Sequence, residues 1–456
     1  MKKLIAFVIG ICLAFSGISA GENYCFRVYL KDKGDSAYTL ERPEAYLSPE
    51  ALERRAKQGI EITESDLPVS PAYLDTLEAY GATPLVRSKW FSTVVVATPD
   101  SLAAARLERL PMVDSVRWVW KGEWRPPVRA KGERLALEGE ALGTPYGFAE
   151  KQIRMLKGEK LHTRGFRGEG MRIAVIDAGF KNVDRIEAFD SLKLIGTYNV
   201  VYPGASVFAA DDHGTKVLSC LAADAPGRMV GTAPEASYLL IKSEITESEY
   251  PIEEDFWVAA VEYADSAGVD VISSSLGYFS FDAEEESYRH EDLDGKTAFI
   301  SRAAARAAEK GILVFCSAGN EGNGDWGKIT VPADACGILT VGAVDGDKKK
   351  SRFSSVGFTA DNRVKPDVAA MGGGCCVVDA DGQVGFASGT SFSTPVLAGL
   401  GACLWQALPE LDGRAIRQLL RESARRYKKP DPEVGYGIPD VYKAYRKGLK
   451  DGVRRK

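Results

Sequence analysis

Asp177, His213 and Ser391 each stand at the end of a predicted helix or strand in this 456-residue sequence. A serine hydroxyl becomes an effective nucleophile when a base of near-neutral pKa accepts its proton. That base in turn needs an acidic partner, which fixes its tautomer and stabilises its charged form. Histidine and aspartate are residues of these two types. The trio therefore predicts acyl transfer, with Ser391 as nucleophile, His213 as base and Asp177 as its partner.

Ser391 lies at the beginning of a predicted buried helix within residues 389–408. Apolar residues recur at helical spacing after it, and Pro395 is tolerated only close to a helix start. The backbone N–H of Ser391 is then an unpaired donor at the positive end of the helix dipole, which suits a developing negative charge. The ordinary structural alternative is that Ser391 serves as the N-cap of the helix.

Asp177 and His213 have similar placements and similar structural alternatives. Asp177 follows the predicted strand 172–176 and precedes Ala178-Gly179, which can turn the chain sharply. In an open parallel sheet, ligands bind beyond the carboxyl ends of the strands. His213 opens a predicted helix over residues 213–223. Taken singly, such an aspartate is a turn residue and such a histidine a capping or packing residue.

Asn320 stands in the glycine-flanked segment Ser-Ala-Gly-Asn-Glu-Gly, residues 317–322. The glycines allow a tight turn, which leaves the Asn320 amide free to donate a hydrogen bond to a substrate oxygen. The structural alternative is an ordinary turn asparagine.

The elements that position these side chains alternate between strands and helices over residues 148–446. This alternation predicts a mostly parallel sheet with helices on both faces, an α/β fold. The predicted strands cover residues 172–176, 238–241, 269–273, 312–315 and 339–344, and the predicted helices cover residues 213–223, 253–267 and 298–310. The residues from Lys443 to the end show no core-forming pattern and are expected to be a solvated, frayed end, with 447–456 as a basic tail.

Residues 21–120 form a separate predicted unit of small α+β type. Strands are expected over residues 23–30, 93–97 and 113–120. Ser48-Pro49 and Ser70-Pro71 open two helices that close near Gly59 and Gly81, and a third helix is expected over 99–110. Residues 121–147, with scattered prolines and charges, form a linker of the kind that proteases cut.

Composition narrows the functional class. The net charge is −5, with 58 basic and 63 acidic residues, so no nucleic-acid partner is expected.

Lys2 and Lys3, an apolar run over 4–15 and small residues up to Ala20 predict a signal peptide over 1–20. The mature protein is then expected outside the cytoplasm, periplasmic or extracellular, with no membrane segment. Seven cysteines remain in it, an odd number lying mostly in apolar runs, so no disulfide framework is expected.

No metal or other cofactor is expected. There is no Cys-x-x-Cys, and the sequence contains only three histidines. Asp379 to Gly382 contains two aspartates, but the remaining ligands of a calcium loop are missing. A hairpin turn is therefore expected there.

Four short motifs in order resemble the subtilisin-type serine proteases, the subtilases. They are Asp177-Ala-Gly, His213-Gly-Thr, Ala-Gly-Asn320 and Gly-Thr-Ser391-x-Ser-x-Pro395. The resemblance covers residues 150–445. It implies a triad of Asp177, His213 and Ser391, with Asn320 and the Ser391 N–H as the oxyanion hole. Lys216 and Ala178 depart from common family residues without changing the reacting groups.

The same resemblance implies a substrate-binding segment and a propeptide. Ser275, Leu276 and Gly277 resemble the family strand that pairs with the backbone of a polypeptide substrate. By position and architecture, residues 21–120 resemble the ferredoxin-like N-terminal propeptide that assists folding and inhibits the enzyme until it is removed. A retained binding domain is the alternative for this unit.

Two other functions stay open at this point. One is a serine hydrolase that is not a peptidase, although Gly-x-Ser-x-Gly does not surround Ser391 and the order Asp, His, Ser differs from the α/β-hydrolase order. The other is an exported binding protein that has the same fold without the chemistry. The sequence favours a serine endopeptidase over both.

Overall fold

The structure is a computed structural model that describes residues 21–129, 132–137 and 141–455, without side chains beyond residue 450. The predicted signal peptide, residues 1–20, lies outside the described residues.

The N-terminal unit is a four-stranded antiparallel sheet in the order β2-β3-β1-β4. Helix α1 begins and ends as the sequence predicts: the Ser48 side chain accepts the N–H of Ala51, and Gly59 closes the helix with φ of +64°. The elements are β1 (Asn23–Leu30), α1 (Pro49–Gln58), α2 (Pro71–Ala79), β2 (Thr83–Ser88), β3 (Thr93–Thr98), α3 (Ala103–Leu107) and β4 (Val113–Gly122).

The second unit is built on a seven-stranded sheet in which every neighbouring pair is parallel, in the order β13-β12-β11-β10-β5-β9-β6. This confirms the predicted α/β fold class. The strands of this unit are β5 (Arg172–Asp177), β6 (Lys193–Asn199), β7 (Asp224–Ala225), β8 (Met229–Val230), β9 (Ser237–Lys242), β10 (Val271–Ser274), β11 (Leu313–Ser317), β12 (Leu339–Val344), β13 (Val368–Met371), β14 (Cys375–Val378) and β15 (Val384–Ala387).

Helices cover both faces of this sheet. Alternate residues of β5 show the division, because Ile173 and Val175 join one hydrophobic core while Ala174 and Ile176 join the other. The first core contains α6 and α9, and the second contains α7 and α8. The helices are α4 (Glu150–Met155), α5 (Glu159–His162), α6 (His213–Ala222), α7 (Ile252–Ser266), α8 (Phe299–Glu309), α9 (Thr390–Gln406), α10 (Gly413–Ser423) and α11 (Val441–Arg455).

Three local predictions have definite outcomes. The frayed end expected from Lys443 onward is wrong, because α11 continues through this segment to Arg455 and Ala444 within it is buried. The helix expected over 99–110 is reduced to Ala103–Leu107, since Leu102 is 80% exposed and no side chain caps the start. The hairpin turn at Asp379 to Gly382 is confirmed, and it joins the antiparallel strands β14 and β15.

The N-terminal sheet packs on helices α7 and α8, where one hydrophobic core includes side chains of both units. The interface also contains buried ion pairs. Arg27 makes two hydrogen bonds of 2.6 Å to Asp255, and neither side chain is more than 3% exposed. Arg54 and Arg55 lie 2.5 and 2.6 Å from the two carboxylate oxygens of Asp265. The N-terminal unit therefore supplies the counter-charges of helix α7.

Across residues 21–129, 132–137 and 141–455, no helix is long and apolar enough to span a bilayer.

Candidate active site

Asp177 and His213 meet at the carboxyl end of the central strand β5. Asp177 is the last residue of β5 and His213 is the first of α6. Nδ1 of His213 lies 2.7 Å from Oδ1 of Asp177, and the same oxygen accepts the N–H of Ala178 at 2.8 Å. The Asp177 side chain is fully buried, whereas the His213 side chain is 34% exposed. The Nδ1 edge of the imidazole is thus bound by a buried carboxylate, while the ring remains partly exposed at the surface.

The close approach of α6 to β5 depends on Gly214. A Cβ atom at this position would lie 2.3 Å from the carbonyl oxygen of Gly179 and 3.0 Å from the Cβ of Asp177. Only glycine lets the helix start so near the turn after Asp177. The backbone N–H of His213 is bound separately, by the carboxylate of Asp211 at 2.7 Å.

The environment of His213 favours its protonated form. Burial acts to lower the pKa of the imidazole, but the charge of Asp177 and the hydrogen bond to it act in the opposite direction. With a further contribution from Asp211, the pKa of His213 is raised from 6.5 to about 9. Asp177 therefore stabilises the imidazolium that would form when His213 accepts a proton.

Ser391 is the second residue of α9, since Gly389 occupies the N-cap position and Thr390 begins the helix. The structural alternative of Ser391 as N-cap is therefore wrong. Ser391 is a buried residue, 7% exposed, and its hydroxyl donates to the carbonyl of Ser275 at 3.4 Å. Among the described residues no hydrogen bond joins Ser391 to His213. The ring of Phe392, the next residue, lies 6.0 Å from that of His213, centroid to centroid.

Asn320 is exposed, and its carbonyl oxygen is fixed by Thr390. Oδ1 accepts the backbone N–H of Thr390 at 2.9 Å and its hydroxyl at 3.0 Å. Because both contacts use the carbonyl oxygen, the Asn320 NH₂ group keeps its donors for another acceptor. Asn320 is thereby hydrogen-bonded to Thr390, the residue before Ser391, and it is not a simple turn asparagine.

The predicted substrate-binding segment also reaches Ser391. The Ser275 hydroxyl donates to the carbonyl of Ser391 at 2.8 Å, and the Leu276 carbonyl accepts the Ser317 hydroxyl at 3.4 Å. A Cβ on Gly277 would lie 2.3 Å from the Thr330 hydroxyl oxygen. Ser275, Leu276 and Gly277 thus lie directly beyond β10, between the strand that ends at Asp177 and the loop that contains Asn320.

Several residues at this end of the sheet have contacts that sequence reasoning missed. The Tyr278 hydroxyl donates to Glu244, and burial raises the pKa of Glu244 to about 7. Lys242 pairs with Asp177 in the sheet register and donates to the carbonyl of Glu244 at 2.6 Å. Local sequence carries no signal for these contacts. Only the shared direction of the parallel strands β10, β5 and β9, whose carboxyl ends lie at one edge of the sheet, points to them.

Among the residues with described positions, no group of three or more histidine, cysteine or acidic side chains has a metal-binding arrangement.

Comparisons with known proteins cover both units of the chain. The model of the subtilase family, peptidase S8, matches residues 168–437. The model of the peptidase S8 propeptide domain of Bacteroidota matches residues 25–133. Subtilisin DY of Bacillus licheniformis is 29% identical over 288 residues, covering 62% of this chain and 92% of the relative. Subtilisin NAT of Bacillus subtilis subsp. natto is 29% identical over 308 residues, 67% of this chain and 72% of the relative.

Proposed function

The chain belongs to the subtilase family of serine endopeptidases, and we propose that it is an exported zymogen that hydrolyses peptide bonds through an acyl-enzyme. The observation that carries the proposed mechanism is the 2.7 Å contact between His213 and Asp177 at the strand end that faces the start of α9. We assign Ser391 as the nucleophile, His213 as the general base and Asp177 as its orienting partner.

In the first step, His213 accepts the Ser391 proton as the hydroxyl attacks the scissile carbonyl. The hydroxyl must first rotate away from the Ser275 carbonyl, a contact that at 3.4 Å is long and weak. Such rearrangement is ordinary, because nucleophile and base commonly approach each other only when substrate is bound. His213 then gives the proton to the leaving amine. Water next attacks the acyl carbonyl while His213 takes its proton, and His213 returns that proton to the Ser391 oxygen as the carboxylic acid product leaves.

The negative charge on the tetrahedral intermediate is assigned to two donors. One is the N–H of Ser391, which lies in the first turn of α9 and so has no partner within the helix. The other is the side-chain NH₂ of Asn320, whose carbonyl oxygen is already bound by Thr390. Donors that are fixed in advance need no reorganisation when charge develops, which is the source of their catalytic effect.

The polypeptide substrate is proposed to lie along Ser275, Leu276 and Gly277 as an added strand. The carbonyl of Ser275 is near enough to the Ser391 hydroxyl to accept its hydrogen bond, so a peptide paired with this segment would present its backbone to the nucleophile. Such pairing uses the backbone of the substrate, so it does not depend on a particular substrate side chain.

The N-terminal unit is proposed to act as an intramolecular inhibitor and folding partner. Its arginines neutralise Asp255 and Asp265, which lie fully or almost fully buried on α7. Three groups of the Ser88 to Trp90 segment also donate to Glu262, including the N–H of Lys89 at 2.7 Å and that of Trp90 at 3.0 Å. Buried carboxylates need such partners, because an unpaired buried charge is strongly destabilising.

Export is proposed on sequence grounds alone. Lys2 and Lys3, the apolar run over 4–15 and the small residues before Gly21 fit a removable signal peptide, which places the mature enzyme in the periplasm or outside the cell.

Ser391→Ala tests the proposed catalytic assignment. The variant should lose casein hydrolysis and labelling by a fluorophosphonate probe, while its thermal unfolding midpoint stays within a few degrees of the wild-type value. Ser393→Ala is a matched control on the same helix, since its hydroxyl donates to the carbonyl of Thr390 and touches no proposed reacting group. Retained hydrolysis in the Ser391 variant would overturn the triad assignment, and absence of labelling in wild-type protein from which the N-terminal unit has been removed would favour the binding-protein alternative.

A further inference from the structure

Two buried cysteines from distant parts of the chain lie against each other behind the active site. Cys220 is on α6, seven residues beyond His213, and Cys375 is the first residue of β14. Their sulfur atoms are 4.0 Å apart, and the two positions are separated by 155 residues in the sequence. Both residues are fully buried. The contact connects the helix that begins with His213 to the hairpin that leads to Ser391.

The surroundings of this pair exclude other common roles of cysteine. The Cys375 thiol donates to Oε1 of Gln152 at 3.2 Å, and the Cys220 thiol is directed to the carbonyl of Cys376 at 3.7 Å. Burial, followed by the neighbouring Cys220, raises the pKa of Cys375 well above its ordinary value. A buried thiol without a nearby cation is a poor nucleophile. Nothing in this neighbourhood of the described chain completes a metal-binding group either.

We propose that Cys220 and Cys375 form a disulfide when the protein folds in an oxidising compartment. Bond formation brings the sulfurs from 4.0 Å to about 2 Å. The seven thiols of the structure are free, so the proposal concerns one cross-link and not a disulfide framework. It rests on the proposed export to an oxidising compartment and not on the proposed proteolysis.

The oxidation requires an external disulfide, such as glutathione disulfide. One cysteine thiolate attacks it, forming a mixed disulfide and releasing one glutathione thiolate. The second cysteine thiolate then displaces the other glutathione, closing the Cys220–Cys375 bond. The two electrons and the two thiol protons end on two molecules of glutathione. Because neither sulfur is accessible in the folded chain, the exchange takes place before α6 and β14 pack together.

The cross-link would constrain the unfolded chain, since it closes a loop of more than 150 residues. It would also tie α6 to the β14–β15 hairpin. We therefore expect protein refolded with the link to have a higher thermal unfolding midpoint than protein refolded with a reductant present throughout, and the two to have the same activity at low temperature.

Peptide mapping of the full chain tests the pairing. The Ser391→Ala protein is refolded in a glutathione redox buffer, its free thiols are blocked with N-ethylmaleimide in denaturant, and the unreduced digest is analysed by mass spectrometry. The expected result is one linked species that joins the Cys220 peptide to the peptide with Cys375 and Cys376. Alkylation of both Cys220 and Cys375 in refolded protein would overturn the proposal, and this measurement needs no cysteine variant.

Single variants then identify the partner. Cys376→Ser should keep the link, and Cys375→Ser should lose it and leave Cys220 alkylated. Cys403→Ser is the matched control, because this buried thiol donates to the carbonyl of Thr232 at 3.3 Å and makes no hydrogen bond to the sulfur of either paired cysteine. A link that survives Cys375→Ser but not Cys376→Ser, or a bond between Cys375 and Cys376, would refute the proposed pairing.

Discussion

Nδ1 of His213 lies 2.7 Å from a carboxylate oxygen of Asp177 whose side chain is wholly buried. Oδ2, the other carboxylate oxygen of Asp177, has no hydrogen-bond partner among the described residues. The carboxylate therefore acts on the imidazole through a single oxygen. Its charge raises the pKa of His213 although burial alone would lower it.

The pH dependence of hydrolysis should follow this pKa. Only neutral His213 can accept the Ser391 proton, so kcat/KM should rise with pH and reach its plateau above about 9. The same shift affects folding in the opposite sense: its stabilising contribution is complete below 6.5 and is lost as pH rises through about 9. Initial rates on a chromogenic peptide, measured from about pH 5 to about pH 10.5 so that both ends of the histidine titration are covered, test the first effect.

Asp177→Asn should move the rising limb of that profile to lower pH, because it removes the carboxylate charge that raises the pKa of His213. Turnover should fall as well, by about 10⁴-fold, because the amide favours the wrong tautomer of the imidazole. Asp212→Asn is a matched control: this acidic residue precedes α6 and pairs with Lys216 at 2.7 Å, outside the Asp177 contact. An unchanged limb in the Asp177 variant would show that another group titrates.

Asn320→Ala should reduce kcat by about 10²-fold or more with little change in KM, the loss that follows removal of one oxyanion donor in enzymes of this kind. Thr390→Val should have a smaller effect, about 5-fold, since it removes one of the two hydrogen bonds that orient Asn320 and such a bond contributes about 1 kcal/mol. Thr394→Val is the matched control, because its hydroxyl donates to the Thr390 carbonyl and not to Asn320. Equal losses in the two threonine variants would contradict an orienting role for Thr390.

Asp265→Asn should destabilise the full-length chain, because Arg54 and Arg55 would then be buried without a full counter-charge. Breaking a buried pair in this way costs about 3–5 kcal/mol. Urea unfolding in the Ser391→Ala background measures the loss without self-digestion. Glu291→Gln removes an exposed pair with Arg289 and should change little. If the two variants unfold at the same urea concentration, the interface pairs are not stabilising.

The N-terminus of the mature enzyme should fall between Glu123 and Arg134. Gly122 still pairs with Asn23 of the N-terminal sheet, whereas the N–H of Leu135 donates to the carbonyl of Arg185 at 2.9 Å and Leu137 is buried. The chain before this interval thus belongs to the N-terminal unit and the chain after it to the protease. Edman sequencing of processed protein gives the position, and a terminus beyond Leu137 would disagree with this division.

Sequence patterns predicted the elements whose signals are local. Helix α1 was found because Ser48, Pro49 and Gly59 mark its ends, and β5 because its apolar run is continuous. Strand β2 was missed because Pro84 interrupts its pattern and a register shift follows it. Helix α11 was missed because it has many charged residues and few buried apolar ones, such as Ala444, so that no clear apolar periodicity is visible in its sequence.

The candidate site was predictable to a similar depth. Asp177, His213, Asn320 and Ser391 could be picked from their motifs, because each motif is short and contiguous. The partners that orient them were not predictable in this way. Thr390 fixes an asparagine 70 residues earlier in the chain, and no local pattern records a contact of that separation. The orphan oxygen of Asp177 is likewise a property of three-dimensional packing.

The ion pairs of α7 also constrain how this sequence can change. Arg54 and Asp265 are separated by 211 residues, and Arg27 and Asp255 by 228, yet each is buried against the other. A substitution on one side is tolerated only with a matching one on the other. The two units should therefore have diverged together. A chimera that joins this protease to the N-terminal domain of a relative should fold only if that domain carries arginines at the positions that pair with Asp255 and Asp265.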